Sequence, residues 1–299
     1  MSGATQGLAR LGLGTVALGL PYGIGGERVP HDAAAALLRD AIAAGIRYVD
    51  TAAAYGDAET VVGRVARELR EAGVRVCTKI TVSALRATGA IAGLRESLAR
   101  LGLERVDTVM LHSADAGALR DEHTNAGLAQ LVESGITARI GVSTYGATDA
   151  TLAHSFQWVR ALQVEHSILN PSVVRALNGE QGDANPRVEV VARSVLCKGL
   201  LTARRAQAGA VATGLAGTLD ALETFARERG LELPELAFRY ALDSPGVDVV
   251  LVGVSNAAEL TTALRAAART PLTAAELRML DSYDRSTDDA SHPELWKAS

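Results

Sequence analysis

At 299 residues the chain can form one large domain or two small ones. It is 48% hydrophobic and rich in Ala and Gly, so it can bury a large core and disorder is not expected. Its net charge of −4 comes from 30 basic and 34 acidic side chains that are interspersed, with no basic stripe for nucleic acid or an anionic membrane.

The first twenty residues, MSGATQGLARLGLGTVALGL, are apolar in places, but Gly recurs and Arg10 interrupts them. They lack the charged start and unbroken apolar stretch of a signal peptide. No run reaches the roughly 18 apolar residues of a membrane helix. A cytoplasmic protein is the expectation. Two cysteines, Cys77 and Cys197, make neither a disulfide framework nor a zinc site. The histidines His112, His154 and His166 show no repeating ligand spacing, so no metal is expected.

Strand-like and helix-like runs then alternate. RLGLGTVAL precedes the helical AAAALLRDAIAAG, and IRYVD precedes ETVVGRVARELREAG. VRVCTKI leads to GAIAGLRESLARLG, VDTVMLH to AGLAQLVESG, and ARIGVST to TDATLAHSFQ. ALQVEHS opens a longer irregular stretch that includes the polar segment 176–187, which reads as a surface loop. VEVVARSVL is followed by an Ala/Gly-rich segment, 203–217, which reads as a mobile loop, and by TLDALETFARERG. VDVVLVGV leads to AAELTTALRAAA, and a polar tail, 286–299, carries Pro293 and Trp296. Gly45, Gly73, Gly102 and Gly135 each sit just past a helical run, where helices stop.

Eight such alternations fit an open doubly wound sheet or a closed (β/α)8 barrel. The barrel, as a single domain, is preferred. No G-x-G-x-x-G turn follows the first strand, and the polar signals are spread over many strand ends. By period-two alternation Tyr48 and Asp50 share a face, as do Cys77 and Lys79, and Met110 and His112. That face must be the barrel interior, or the charges would press against the helix layer.

Asp50, Tyr55, Lys79 and His112 thus close, or lie just past, three successive strands, where the loops of a barrel converge to build an active site. Taken singly, each has an ordinary explanation: a helix cap, a half-buried aromatic, a solvated charge, a core histidine. Together they form a set that can move a proton on or off a carbonyl oxygen. A free phenol has a pKa of about 10, and lowering it by about three units takes about 4 kcal/mol. One ammonium about 4 Å away supplies that much at an effective dielectric near 20. Lys79 is the candidate ammonium, Asp50 its fixed partner, and His112 a donor or proton relay.

These segments resemble the aldo-keto reductase family from about Arg10 to about Ala268. YVDTAAAYGDAETVVGRVAR is similar to the stretch around that family's catalytic Asp and Tyr, VCTKI to its lysine strand and VMLHS to its histidine strand. Asp50, Tyr55, Lys79 and His112 fall on the family's tetrad. The resemblance implies a (β/α)8 barrel with the active site at the C-terminal ends of the strands and no Rossmann domain. It also implies hydride transfer between nicotinamide C4 and a carbonyl carbon, with Tyr55 as the general acid or base.

The cofactor segments partly match. In IGVST, Ser143 falls on the family's serine, and Thr144 stands where Asn is usual. Gln163 falls on the glutamine that binds the carboxamide. In VARSVLCKGLLT, Arg193 replaces the Tyr expected to stack on the nicotinamide. A guanidinium can stack too, or it can reach toward an anionic or hydroxyl-rich substrate. Ser194 and Leu196 match the pyrophosphate path, and Lys198, Arg204 or Arg205 in the segment that follows are candidate cations for a 2′-phosphate. Gly253, Ser255 and Asn256 match the adenosine-phosphate site at a helix N-terminus, which suits anions. Glu259 stands where many members carry Arg or Gln, and a carboxylate repels a 2′-phosphate. NADPH is the implied cofactor, with NADH its rival.

The resulting expectation is an NAD(P)H-dependent oxidoreductase acting on a small-molecule carbonyl or alcohol. Arg193 and an aromatic content of 4% favour a polar, sugar-derived aldehyde over a bulky aromatic. The rival class is a cofactor-sensing auxiliary subunit on the same fold. Oligomeric state is not legible.

Overall fold

The computed structural model describes residues 7–179, 188–292 and 295–296. Eight parallel strands close into a barrel: β1 (Leu11–Gly14), β2 (Tyr48–Asp50), β3 (Arg75–Thr81), β4 (Val106–His112), β5 (Thr137–Ser143), β6 (Ala161–Glu165), β7 (Glu189–Arg193) and β8 (Val249–Gly253). Each pairs with its neighbour in sequence, and β1 closes on β8 with Leu11 opposite Val250. The open-sheet alternative is therefore excluded.

The strands alternate as the pleat demands. Leu13, Val49, Val109, Leu111, Val142 and Val250 point outward into the layer shared with the helices. Tyr48, Cys77, Met110, Ala161, Val191, Val249 and Leu251 point inward and form a separate apolar plug. Side-chain size decides how tightly that plug closes. A Cβ on Gly141 would lie 2.8 Å from the Ala161 carbonyl and 2.9 Å from Met110 Cγ, so only glycine lets Met110 fill the centre. Truncating such a buried Met to Ala costs about 2–5 kcal/mol.

The helices depart from the expected boundaries where packing overrides pattern. The first strand stops at Gly14, and Val16–Gly19 turns into a short helix. The run 59–73 breaks into Ala58–Gly63 and Ala66–Glu71. The segment 176–187, expected as a loop, begins inside a helix, Ser172–Gly179; residues 180–187 lie outside the described residues. The segment 203–217 folds into a 3-10 turn, Ala203–Gln207, and a short helix, Ala210–Gly214, before the helix Ala216–Glu228. Leu233–Asp243 is a further helix outside the simple strand–helix alternation, with Pro234 at its start and Glu235, Arg239 and Asp243 recurring at i, i+4 and i+8. In the tail, Trp296 packs against the outer core, and Pro293 lies outside the described residues. No helix among the described residues is long and apolar enough to cross a membrane.

Candidate active site

Directly above the apolar plug, the next inward positions are Asp50, Lys79, His112, Ser143, Gln163 and Arg193. Lys79 is buried, and its Nζ donates to both carboxylate oxygens of Asp50 at 2.6 Å and to the Thr51 carbonyl at 3.0 Å. Gln163 Nε2 donates to Asp50 Oδ1 at 2.7 Å, and Ser143 Oγ lies 3.4 Å from Gln163 Oε1. Burial opposes the Lys79 charge, but Asp50 together with Tyr55 and Cys77 more than offsets it and holds the ammonium above its ordinary range.

Tyr55 reaches this layer from the loop after β2. That loop is seated by backbone contacts: Asp57 N donates to Gly19 O at 3.2 Å, and Ala58 N donates to Tyr55 O at 3.1 Å. A Cβ on Gly19 would come within 1.9 Å of the Tyr55 carbonyl, so the close approach requires glycine. The Lys79 ammonium lies 4.8 Å from the Tyr55 ring centroid. The His112 ring meets Tyr55 edge to face at 5.5 Å.

One electrostatic expectation is corrected. Lys79 and Arg193 do lower the phenol's pKa, but burial raises it by more, and Asp50 adds to the rise. The net pKa stands above the ordinary value of 10. The carboxylate 2.6 Å from the ammonium cancels much of its field at the ring. Tyr55 is therefore protonated at neutral pH. Burial, helped by Lys79 and Arg193, lowers His112 to about 4, so its imidazole is neutral. Its Nδ1 is buried without a hydrogen-bond partner among the described residues.

A cleft of about 920 Å³ opens over this layer. Asp50, Tyr55, His112, Ser143, Gln163 and Arg193 line one end, and Lys79 lies behind them, buried. The cleft passes Ser194, Leu196 and Lys198 and ends at Gly253, Ser255, Asn256 and Glu259. Thr144 is not in it: its hydroxyl donates to the Ala114 carbonyl at 2.8 Å. Ser194 (φ 61°) and Lys198 (φ 52°) hold left-handed backbone beside the cleft, as does Ser113 (φ 52°) just past His112. Such conformations cost energy and cluster at functional sites.

At the far end Asn256 caps the helix Ala257–Ala268, accepting from Glu259 N at 3.0 Å. Glu259 accepts from Ser255 N at 2.7 Å and from Arg204 Nη2 at 2.5 Å. Arg204 also lines the cleft. None of the described tail residues does.

Sequence reasoning missed Tyr22, Tyr145 and Glu165. Glu165 was open to discovery, since it shares the inward face of Ala161 and Gln163 on β6. Tyr22 and Tyr145 lie in loops, where no period marks them.

The model of the aldo/keto reductase family matches residues 10–285, so the chain belongs to that family. It is 38% identical over 152 residues to an aldo-keto reductase from Mycolicibacterium vanbaalenii. That match spans 48% of this chain and about half, 52%, of the relative. It is 28% identical over 318 aligned residues to the L-glyceraldehyde 3-phosphate reductase of Escherichia coli O157:H7, covering 93% of this chain and 90% of the other. Its fold is that of a Klebsiella pneumoniae aldo/keto reductase solved in complex with NADP and acetate. There the TM-score is 0.72 at 24% identity, with 92% and 91% of the two chains covered.

Proposed function

We propose that this chain reduces the carbonyl group of a small polar aldehyde or ketone with NADPH. The observation that carries the reading is the cleft: a protonated tyrosine, a paired lysine and a neutral histidine at one end, and a capped helix N-terminus beside Arg204 at the other. The chemistry a nicotinamide cofactor supplies is hydride donation to the carbonyl carbon.

The residues present fit such a cofactor. Ser143 and Gln163 stand at adjacent strand ends, where a carboxamide can meet a hydroxyl and an amide. Ser194, Leu196 and Lys198 flank the middle of the cleft, the stretch suited to a pyrophosphate. Gly253, Ser255, Asn256 and Arg204 line the end where a helix N-terminus favours a phosphate. Thr144 drops out of this set because its hydroxyl is taken.

Tyr55 gives its phenolic proton to the carbonyl oxygen as negative charge develops there. Its raised pKa suits this direction, since the donor stays loaded at neutral pH. The neutral His112 offers an N–H to the same oxygen. Lys79 stabilises the phenolate left behind, Asp50 keeps Lys79 charged and placed, and Gln163 holds Asp50. The relative that acts on L-glyceraldehyde 3-phosphate supports a short polar substrate.

The test is a titration of the protein with NADPH and NADH, followed by nicotinamide fluorescence, and then turnover of an aldehyde panel. Tight NADPH binding with aldehyde-dependent oxidation is expected. Binding of neither nucleotide would overturn hydride transfer, and binding without turnover of any carbonyl would favour an auxiliary subunit.

A further inference from the structure

Arg193 is the last residue of β7 and lines the cleft beside Tyr55 and His112. Its guanidinium carbon lies 4.0 Å from the centroid of the Tyr145 ring. Nη2 donates to the Thr144 carbonyl at 2.8 Å and approaches Glu165 Oε2 at 3.5 Å, and Nη1 donates to Ser194 Oγ at 3.3 Å. An arginine has five N–H groups. These contacts leave the Nε–H and one Nη1–H without an acceptor among the described residues. The fork is thus flat, seated on an aromatic face, and fixed by its neighbours before any ligand arrives.

Its counter-ion does not share its exposure. Glu165 is buried, accepts from Gly146 N at 2.8 Å through its other oxygen, and does not line the cleft. A molecule entering the cleft meets the guanidinium and not the carboxylate. Lys198, from the segment after β7, lies over the ring of Tyr22 at 5.9 Å, so a second cation on an aromatic seat lines the same cleft. Asp50, the carboxylate lining this end of the cleft, is tied to Lys79 and Gln163, so the Arg193 guanidinium is the charge placed to meet an incoming anion.

On the carbonyl-reduction reading above, we infer that Arg193 recognises an oxyanion, phosphate or carboxylate, carried by the aldehyde substrate itself. Directional N–H groups on a fixed fork match the paired oxygens of such a group. Arg193 ends β7 and lines the same end of the cleft as Tyr55 and His112, so an anion held by it sits beside the reacting carbonyl. The substrate is therefore a short-chain aldehyde with its anion only a few bonds from the carbonyl carbon.

The experiment compares kcat/KM for matched pairs with NADPH: glyceraldehyde 3-phosphate against glyceraldehyde, and succinic semialdehyde against butanal. The wild type is expected to prefer at least one charged member by about tenfold or more, as a charge-assisted pair of hydrogen bonds allows. Which pair shows the preference tells phosphate from carboxylate. Arg193→Gln should bring that ratio near parity, chiefly through KM, and Arg193→Lys should keep part of it, as a point charge without the fork. Equal use of charged and neutral members by the wild type overturns the inference, as does a preference that survives Arg193→Gln. A wild type that reduces only neutral or bulky aldehydes also overturns it. A protein that oxidises NADPH with no carbonyl compound at all defeats the carbonyl-reduction reading instead.

Discussion

The two ends of the barrel interior both hold buried or half-buried charge, yet only the C-terminal one opens onto the cleft. At the N-terminal end Arg75 pairs with Glu189 at 2.7 Å, and Arg139 pairs with Asp107 at 2.6 Å and with Glu189 at 3.2 Å. Each of these charges is paired with another on the same end and none of them lines the cleft, although Glu189 Oε2 and the Tyr48 hydroxyl make no hydrogen bond among the described residues. At the C-terminal end the Asp50–Lys79 pair is equally close, but the groups around it are not used up. Among the described residues His112 Nδ1 lacks a partner and Arg193 keeps unspent N–H groups, and Tyr55 lines the cleft with its phenol protonated. Charge alone does not mark a site; polar capacity left open toward a cleft does.

The sharpest way to break this contrast is at Tyr55. Tyr55→Phe removes the proposed proton donor and little packing. Turnover should fall by about a thousandfold or more, near the upper range for general acid catalysis. NADPH affinity should stay within about threefold. Near-wild-type turnover in the variant would mean that another group delivers the proton.

A second contrast sets one end against the other. Lys79→Met leaves Asp50 as an unpaired buried carboxylate, which costs about 3–5 kcal/mol of stability and disables Tyr55 as well. Arg139→Gln, at the closed end, should cost about 1–3 kcal/mol and leave kcat within about twofold, because it touches no cleft residue. Denaturant unfolding and steady-state rates on the same samples separate the two. An Arg139→Gln enzyme with kcat reduced tenfold would show that the closed end is coupled to the chemistry.

Which of these groups the sequence reveals follows from where they lie. The strand residues were legible, because a period of two puts Tyr48 with Asp50, Cys77 with Lys79 and Met110 with His112, and closure puts all three pairs inside. The helix Leu233–Asp243 carries its own signals, Pro234 at the start and Glu235, Arg239 and Asp243 at i, i+4 and i+8, but a one-strand, one-helix alternation has no place for it. Thr144 shows another limit: adjacency to Ser143 cannot say that its hydroxyl turns to the Ala114 carbonyl. Nor does the pairing of Lys79 with Tyr55 give the sign of the phenol's shift. That sign depends on burial and on the third charge, Asp50, as much as on the ammonium.

The shifted groups make the contrast visible in pH. Tyr55 sits above its ordinary pKa of 10, so reduction should run level through neutral pH and fall only once pH passes about 10. Oxidation, which needs the phenolate, should climb through the alkaline range. His112, lowered to about 4, should give the rate no inflection near 6.5. The same shift acts on stability. His112 and His166, the latter lowered to about 3 by burial, bind protons more readily unfolded than folded. Their contribution is complete above about 6.5 and is lost as pH falls through that value toward 4 and then 3. An alkaline limb on oxidation centred near 7 would show that Lys79 dominates the phenol after all.

The smallest effect concerns the far end of the cleft, where a carboxylate sits beside the helix N-terminus proposed for the cofactor's phosphate. By itself Glu259 repels a 2′-phosphate, which favours NADH. In the structure it is not by itself: Arg204, carried across by the segment after β7, donates to it and to Ser255 Oγ, so the cleft end meets a neutral pair with a guanidinium on it. A 2′-phosphate can compete with Glu259 for that guanidinium, whereas an unphosphorylated ribose brings no charge to do so. Glu259→Arg replaces the competitor with a second cation. It should tighten NADPH by about tenfold and change NADH by less than about twofold, since charge-assisted contacts of this kind contribute about 1.5–3 kcal/mol less the cap lost at Ser255. Parallel fluorescence titrations decide the matter. If both nucleotides change equally, the effect comes from the helix cap, and the phosphate lies elsewhere along the cleft.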